Sequence, residues 1–168
     1  LQGFFLRGEF QKKVYWRQYG GDEMKIRKAI KKDIPRMFEI IKINSPKYPK
    51  QLAYNELSEM FSKSLFKPTY IIVEKGKEIV AFGGFIPSWI DNAVFNVFWI
   101  NTNPEYKKQG VGIKLMKEII NQIKKYKKPK PKMILISTKI LKFYEKFGFK
   151  KITSKYDKDY ILMEKKIK

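Results

Sequence analysis

The run from Ala93 to Gly112 constrains the fold more than any other part of the chain. An apolar stretch, Ala93 to Asn101, is closed by Asn103-Pro104 and leads into a segment opened by two glycines, Gly110 and Gly112. The stretch has the length of a strand and a composition suited to burial on both faces. From Gly110 to Lys125, Ile113, Met116, Ile120 and Ile123 fall on one line, with Leu115 and Ile119 beside them. Lys114, Lys117, Glu118, Asn121 and Lys124 fall on the other side, so the period is that of an amphipathic helix. A buried strand that feeds a one-sided helix belongs to a sheet with helices layered on it.

The flanking sequence supplies the other elements. Lys25 to Ala29 reads as a short strand, and Asp33 as the N-cap of a helix with Pro35 in its first turn. Met37, Phe38 and Ile41 are the apolar stripe of that helix, and Pro46 and Pro49 end it. A second helix is predicted from Gln51 to Ser64, with Leu52, Leu57, Met60, Phe61 and Leu65 on its apolar side. Tyr70–Glu74 and Glu78–Ile86 read as strands joined by the tight turn Lys75-Gly76-Lys77, the second carrying Gly83-Gly84. After a basic loop from Lys127 to Lys132 come a strand from Met133 to Ser137 and a short helix ending at Lys146. Ser137 or Thr138 caps that helix, and Gly148 lies just past its end. Two last strands, Phe149–Thr153 and Tyr160–Lys165, are linked by the polar run Ser154 to Asp159. The order is strand, two helices, three strands, helix, strand, helix, two strands, which gives one mixed α/β (α+β) domain over residues 24–168. Residues 1–23 read as a separate N-terminal extension, a disordered or non-native tail or else an aromatic packing arm.

Composition removes several chemistries. The chain has no Cys and no His, so Cys/His zinc sites, thiol nucleophiles, disulfides and His-based triads are excluded. Acid–base work falls to Tyr, Lys, Asp, Glu, a terminus or water. No metal site is expected. The absence of disulfides and of a secretory signal points to a cytoplasmic protein, and no run has the length of a membrane span. The net charge of +21 has two readings: an anionic partner, or lysine used as general surface charge. The scarcity of Arg (Arg7, Arg17, Arg27 and Arg36) favours the second, because guanidinium is the preferred group where phosphates or bases are gripped.

The chemistry centres on Pro104-Glu105-Tyr106-Lys107-Lys108-Gln109-Gly110-Val111-Gly112. A helix N-terminus leaves backbone N–H groups unpaired and carries partial positive charge. Gly110 and Gly112 let a ligand approach that backbone, and Lys107 and Lys108 add charge at the rim, so the segment suits a pyrophosphate. It is neither a Walker A loop nor the dinucleotide fingerprint. Alone, two glycines before a helix are structural more often than they mark a ligand. Further on stands Phe143-Tyr144-Glu145-Lys146-Phe147-Gly148-Phe149.

Together these segments resemble the GNAT superfamily of N-acetyltransferases. That superfamily's phosphate loop has Arg or Gln, two residues, Gly, any residue, then Gly or Ala. Here the loop is Lys107 to Gly112, with the lead-in Pro104-Glu105-Tyr106. The later F-Y-x-K-x-G-F signature is matched from Phe143 to Phe149. The element order agrees from Met24 to Lys165. The resemblance implies a mixed, mostly antiparallel sheet of about seven strands flanked by about four helices and splayed between its fourth and fifth strands.

The resemblance also implies acetyl-CoA as co-substrate. Its pantetheine would pair with the backbone of Ile100, Asn101 and Thr102, in the manner of an added strand. Its pyrophosphate would sit on the amides from Gln109 through Gly110, Val111 and Gly112 to Ile113, with Lys107 and Lys108 nearby. Tyr144 would act as general acid toward the leaving thiolate; read from the residues alone, it is more readily a core aromatic on a stripe with Ile140 and Phe147. Some members carry a Glu base on the fourth strand, where this chain has Asn96. That residue is either a satisfied buried amide or the holder of a relaying water. Ser137 stands where many members place an Asn that touches the cofactor, and Lys107 replaces the usual Arg or Gln. Glu56, Glu59, Asp91 and Asp157 are the acids available near the groove.

The activity implied is acetyl transfer to a primary amine (a peptide N-terminus, a lysine or a small amine) by a monomer or homodimer. A cationic acceptor would need a locally acidic groove in so basic a chain. Two alternatives are a non-catalytic acyl-CoA-binding module and a nucleic-acid-associated protein using Lys124 to Lys132. The second is disfavoured, because Pro129 and Pro131 break any helix there and no stacking motif accompanies Tyr126.

Overall fold

The computed structural model describes residues 23–152 and 160–168. The extension before Glu23 and the polar link with Asp157 lie outside the described residues. Four strands, β1 (Met24–Lys28), β2 (Thr69–Lys75), β3 (Glu78–Pro87) and β4 (Val94–Thr102), pair antiparallel in succession. β5 (Met133–Thr138) runs parallel to β4, while β7 (Ile161–Lys166) lies antiparallel to β5 and to the two-residue β6 (Lys150–Lys151). The sheet order is therefore β1-β2-β3-β4-β5-β7-β6. A parallel neighbour requires a crossover, and the helix α3 (Val111–Lys124) supplies it between β4 and β5.

The helices divide between the two faces. α1 (Ile34–Asn44) and α2 (Lys50–Ser58) bury Ile34, Met37, Ile40, Ile41, Ala53 and Leu57 against Tyr70, Ile72, Ile79 and Phe82. On the opposite face α3 buries Val111, Leu115, Met116, Ile119, Ile120 and Ile123, together with Tyr144 of α4 (Leu141–Glu145), over Ile71, Val73, Phe95, Val97, Ile134 and Ile136. The fold is thus the expected mixed sheet with four α-helices.

Local expectations are corrected at five places. Asp33 does not cap α1 through its side chain. It is held in a helical conformation within a 3-10 turn, and its carboxylate takes the Ile30 N–H (2.7 Å) and the guanidinium of Arg27 instead. The second helix stops at Ser58 and continues as a single 3-10 turn to Phe61, so Leu65 lies beyond it and is 91% exposed; Leu52, in the first turn, is also exposed. Ile113 leaves the α3 stripe and is exposed, because the buried face is centred on Val111, Leu115, Met116 and Ile119 and Ile113 falls at its margin, where it lines a cleft. Ser137 does not cap α4 and faces solvent, whereas the buried Thr138 accepts the Ile140 N–H (3.0 Å) ahead of the helix start at Leu141. β4 is not buried throughout: Asn96, Phe98, Trp99 and Ile100 are only half-buried.

The pairing of β3 with β4 carries the feature that shapes the site. Phe82 stands opposite Asn101 and Gly84 opposite Phe98, so Trp99 and Ile100 together face the single residue Gly83. This is a β-bulge, which turns the following side chain to the other face. Trp99 accordingly joins Phe98 on the α1/α2 face, and Ile100 joins the α3 face. Trp99 has φ of 51°, a strained value for an aromatic residue. Gly83 leaves the room: a Cβ there would lie 2.4 Å from Ile100 Cδ1. A Cβ on Gly84 would meet the rings of Tyr70 at 2.6 Å and Phe98 at 2.8 Å. Gly84→Ala is expected to destabilise the protein by about 1–3 kcal/mol through this overpacking, read as a lower urea midpoint with unchanged slope.

Candidate active site

β4 and β5 pair only from Val94↔Met133 to Val97↔Ile136. Beyond Val97, β4 continues to Thr102 with no strand on its β5 side among the described residues. A sheet interior thus presents an open strand edge, whose N–H and C=O groups call for a partner. The edge runs into the loop that starts α3. Asn103 opens that loop by accepting the Glu105 N–H (3.3 Å), and the Tyr106 hydroxyl donates to Glu78 Oε2 (2.8 Å). Lys108 (φ 63°) and Gly110 (φ 78°) then reverse the chain so that the first amides of α3 face outward.

A cleft of about 680 Å³ occupies this corner. Its walls include Ile100, Asn101, Thr102, Lys107, Lys108, Gly110, Val111, Gly112 and Ile113. These are the expected cofactor positions apart from Gln109 and Ser137. The Gln109 side chain folds back onto the Glu105 carbonyl (3.0 Å), and Ser137 projects to solvent opposite Leu162 on β7. The structure adds walls that carry no expectation: Asn44 and Ser45 at the end of α1, Ile140, Phe143 and Lys146. Asn44 donates to Asn101 Oδ1 and to the Thr102 carbonyl, both at 3.0 Å, so that carbonyl is already engaged. Lys146 lies within the F-Y-x-K-x-G-F segment, the one signal that marks it in sequence. Asn44 carries no such signal, because only the packing of α1 on the sheet brings it to β4.

The cleft suits an extended ligand with a phosphate-rich end. Three lysines, Lys107, Lys108 and Lys146, stand around an outward-facing helix N-terminus. A Cβ on Gly112 would lie 3.4 Å from Phe143 and close the floor of the cleft.

Tyr144 sits behind this wall. It is 4% exposed and packs edge-on against Phe143 and Phe149. Its phenol pairs with Thr138, two residues past the last β4–β5 pair, at the mouth of the strand gap. Burial pushes the phenol up to about 12, against the opposing effect of the Thr138 hydrogen bond. Asn96 pairs in register with Ile86 and Leu135, is half-buried, and its amide has no hydrogen bond to protein among the described residues. Asp91 takes the Ala93 N–H (2.8 Å) as a turn residue of the β3–β4 loop. Glu56 and Glu59 line a second hollow at the β4 bulge. Tyr126 packs its ring edge to face with Phe95 at 4.9 Å and Phe85 at 6.3 Å.

The model of the GNAT acetyltransferase domain matches residues 67–151, which span β2 through α4 and β6. The chain belongs to the GNAT acetyltransferase family. Solved structures agree in fold. An N-acetyltransferase, PaiA from Thermoplasma acidophilum, solved with coenzyme A, is 19% identical with a TM-score of 0.67, over 86% of this chain and 99% of that one. The ribosomal-protein-S18-alanine N-acetyltransferase of Escherichia coli is 16% identical with a TM-score of 0.68, over 86% and 94% of the two chains. A protein assigned to the same family from Desulfovibrio desulfuricans is 14% identical with a TM-score of 0.72, over 86% and 99%. No curated protein sequence matches the chain. Among the described residues no helix is long and apolar enough to cross a membrane.

Lys108→Ala and Lys146→Ala are each expected to weaken coenzyme A binding by roughly 3- to 30-fold, the loss of one charge-assisted contact. Calorimetric titration at low and high salt checks this, because the loss should shrink as salt screens the site.

Proposed function

We propose that the protein transfers the acetyl group of acetyl-CoA to a primary amine by direct attack in a ternary complex. The observation that carries this reading is the open edge of β4, which leads from the bulge at Trp99 straight to the lysine-ringed N-terminus of α3. Backbone groups of β4 would hold the amides of the pantetheine, and the α3 amides with Lys107, Lys108 and Lys146 would hold the phosphates. Acetyl-CoA supplies the activated acyl group. The neutral amine nitrogen bonds to the thioester carbonyl carbon and the carbon–sulfur bond breaks. One proton leaves the nitrogen and one is taken up by sulfur, giving an amide and free coenzyme A. Much of the acceleration then comes from holding the two reactants in line.

Tyr144 is the proton donor in this reading. Its raised value keeps the phenol protonated throughout the range in which an amine loses its own proton. The proton on the incoming nitrogen has no histidine to receive it, since the chain contains none. Asn96 lies two residues before Phe98 on the same face of β4, and its unpaired amide suits a water that passes the proton outward.

Coenzyme A is expected to raise the melting temperature, and thiol release should follow addition of a primary amine. Absence of the shift would defeat the cofactor assignment, and a shift without turnover on any amine would leave only a binding module. Tyr144→Phe is expected to lower kcat by about 10²- to 10⁴-fold with coenzyme A affinity unchanged. The wild-type rate should climb with pH as the amine deprotonates and show no alkaline fall before about pH 11, because Tyr144 keeps its proton until then.

A further inference from the structure

The hollow at the β4 bulge has a chemistry unlike the rest of this basic molecule. It measures about 460 Å³ and is walled by Tyr48, Tyr70, Phe98, Trp99, Glu56 and Glu59, with Pro68 and Ile86 behind. Four aromatic side chains thus share a hollow with two carboxylates in a chain of net charge +21: Glu56 is half-buried, and the exposed Glu59 accepts the Ser62 hydroxyl (2.8 Å). Among the described residues neither Glu56 nor Glu59 is in a salt bridge, and no lysine or arginine lines the hollow.

Glu56 is fixed by its neighbours. Its Oε1 accepts the Tyr48 hydroxyl (2.8 Å), its Oε2 accepts the Trp99 indole N–H (2.7 Å), and its backbone carbonyl accepts the Tyr70 hydroxyl (3.2 Å). Tyr48 and Trp99 meet edge to face at 4.8 Å, and Tyr70 and Phe98 at 5.9 Å. Proximity to Glu56 adds to burial in pushing the Tyr48 phenol up to about 12, so it remains a donor to the carboxylate. A half-buried, oriented carboxylate among aromatic faces is a receptor for a desolvated organic cation, held by Coulomb attraction on one side and ring quadrupoles on the other. The bulge creates this receptor, since regular alternation would have turned Trp99 to the α3 face.

The position ties the hollow to the transfer reaction. Phe98 is the first residue after the last β4–β5 pair, and Trp99 precedes Ile100, the first β4 residue of the cleft. The hollow and the cleft are thus lined by consecutive residues of β4, on the two sides of the bulge. The amine that reacts must be neutral, so a receptor built for a cation serves a second, non-reacting charge. We infer that this hollow is an acceptor subsite for a small di- or polyamine, whose distal ammonium is anchored by Glu56 among Tyr48, Phe98 and Trp99 while its proximal amine reaches the strand gap. The inference rests on reading the cleft as the coenzyme A site.

The test compares 1,4-diaminobutane with n-butylamine, which share a chain length and differ by the distal ammonium. The diamine is expected to show a kcat/KM at least about ten-fold higher, and Glu56→Gln to raise its KM by roughly 10- to 100-fold with kcat changed little and butylamine unaffected. In the wild-type protein, tetramethylammonium, a cation with no transferable N–H, should inhibit competitively against the diamine and not against acetyl-CoA. Equal use of the two amines would overturn the inference, as would a diamine preference that survives Glu56→Gln, or turnover confined to peptide N-termini. Failure of coenzyme A to stabilise the protein marks the failure of the underlying cofactor assignment. Stabilisation and butylamine turnover without diamine preference would sink the subsite alone.

Discussion

The parting of β4 from β5 after Val97 and Ile136 is the constraint on which the rest of the structure depends. A strand edge left open inside a sheet exposes backbone groups that cannot go unpaired in a dry environment. The protein meets part of this demand itself, through Asn44 on the Thr102 carbonyl, and leaves the remainder facing a cleft. Closing the gap would complete a more regular sheet and abolish the site. Its persistence is enforced from both sides: the bulge at Trp99 and Ile100 bends β4, and β5 is held to β7 along its whole length.

The bulge also distributes chemistry between the two faces. Ile100 goes to the cleft and the α3 core, while Phe98 and Trp99 go together to the α1/α2 face. One inserted residue therefore separates a cleft end rich in lysine from an acidic aromatic hollow. Gly83 and Gly84 are the complement on β3, because any side chain at these positions would collide with Ile100 or with the Tyr70 and Phe98 rings. The strain at Trp99 is offset by the hydrogen bond from its indole to Glu56 and by its contact with Tyr48.

Much of this was legible in the chain. The period of the segment from Gly110 to Lys125 gave α3, and the glycine spacing placed the helix N-terminus at the cleft. Most of the cleft wall, from Ile100 to Ile113, comes from one continuous stretch, which is why sequence locates it. The misses have a common cause. Asn44 and Ser45 reach the cleft from a distant segment, and nothing local distinguishes a surface residue that packing brings to a cleft. Ile113 and Leu65 fit an apolar period, but Ile113 falls at the margin of the buried face and Leu65 lies past the end of its helix, and period encodes neither the centre of the buried face nor where a helix stops.

By itself the sequence determined the family, the layered sheet and the glycine turn that opens α3 at the cleft, because these depend on contiguous residues whose spacing and backbone freedom act locally. It also excluded thiol, imidazole and disulfide chemistry, which depend only on residue types. The tertiary structure alone decided which face each β4 side chain takes, since a bulge is a property of pairing with β3 and leaves no mark on the alternation of β4. It alone set Glu56 between Tyr48 and Trp99, a contact between residues 43 positions apart that only the packing of α2 on the sheet creates.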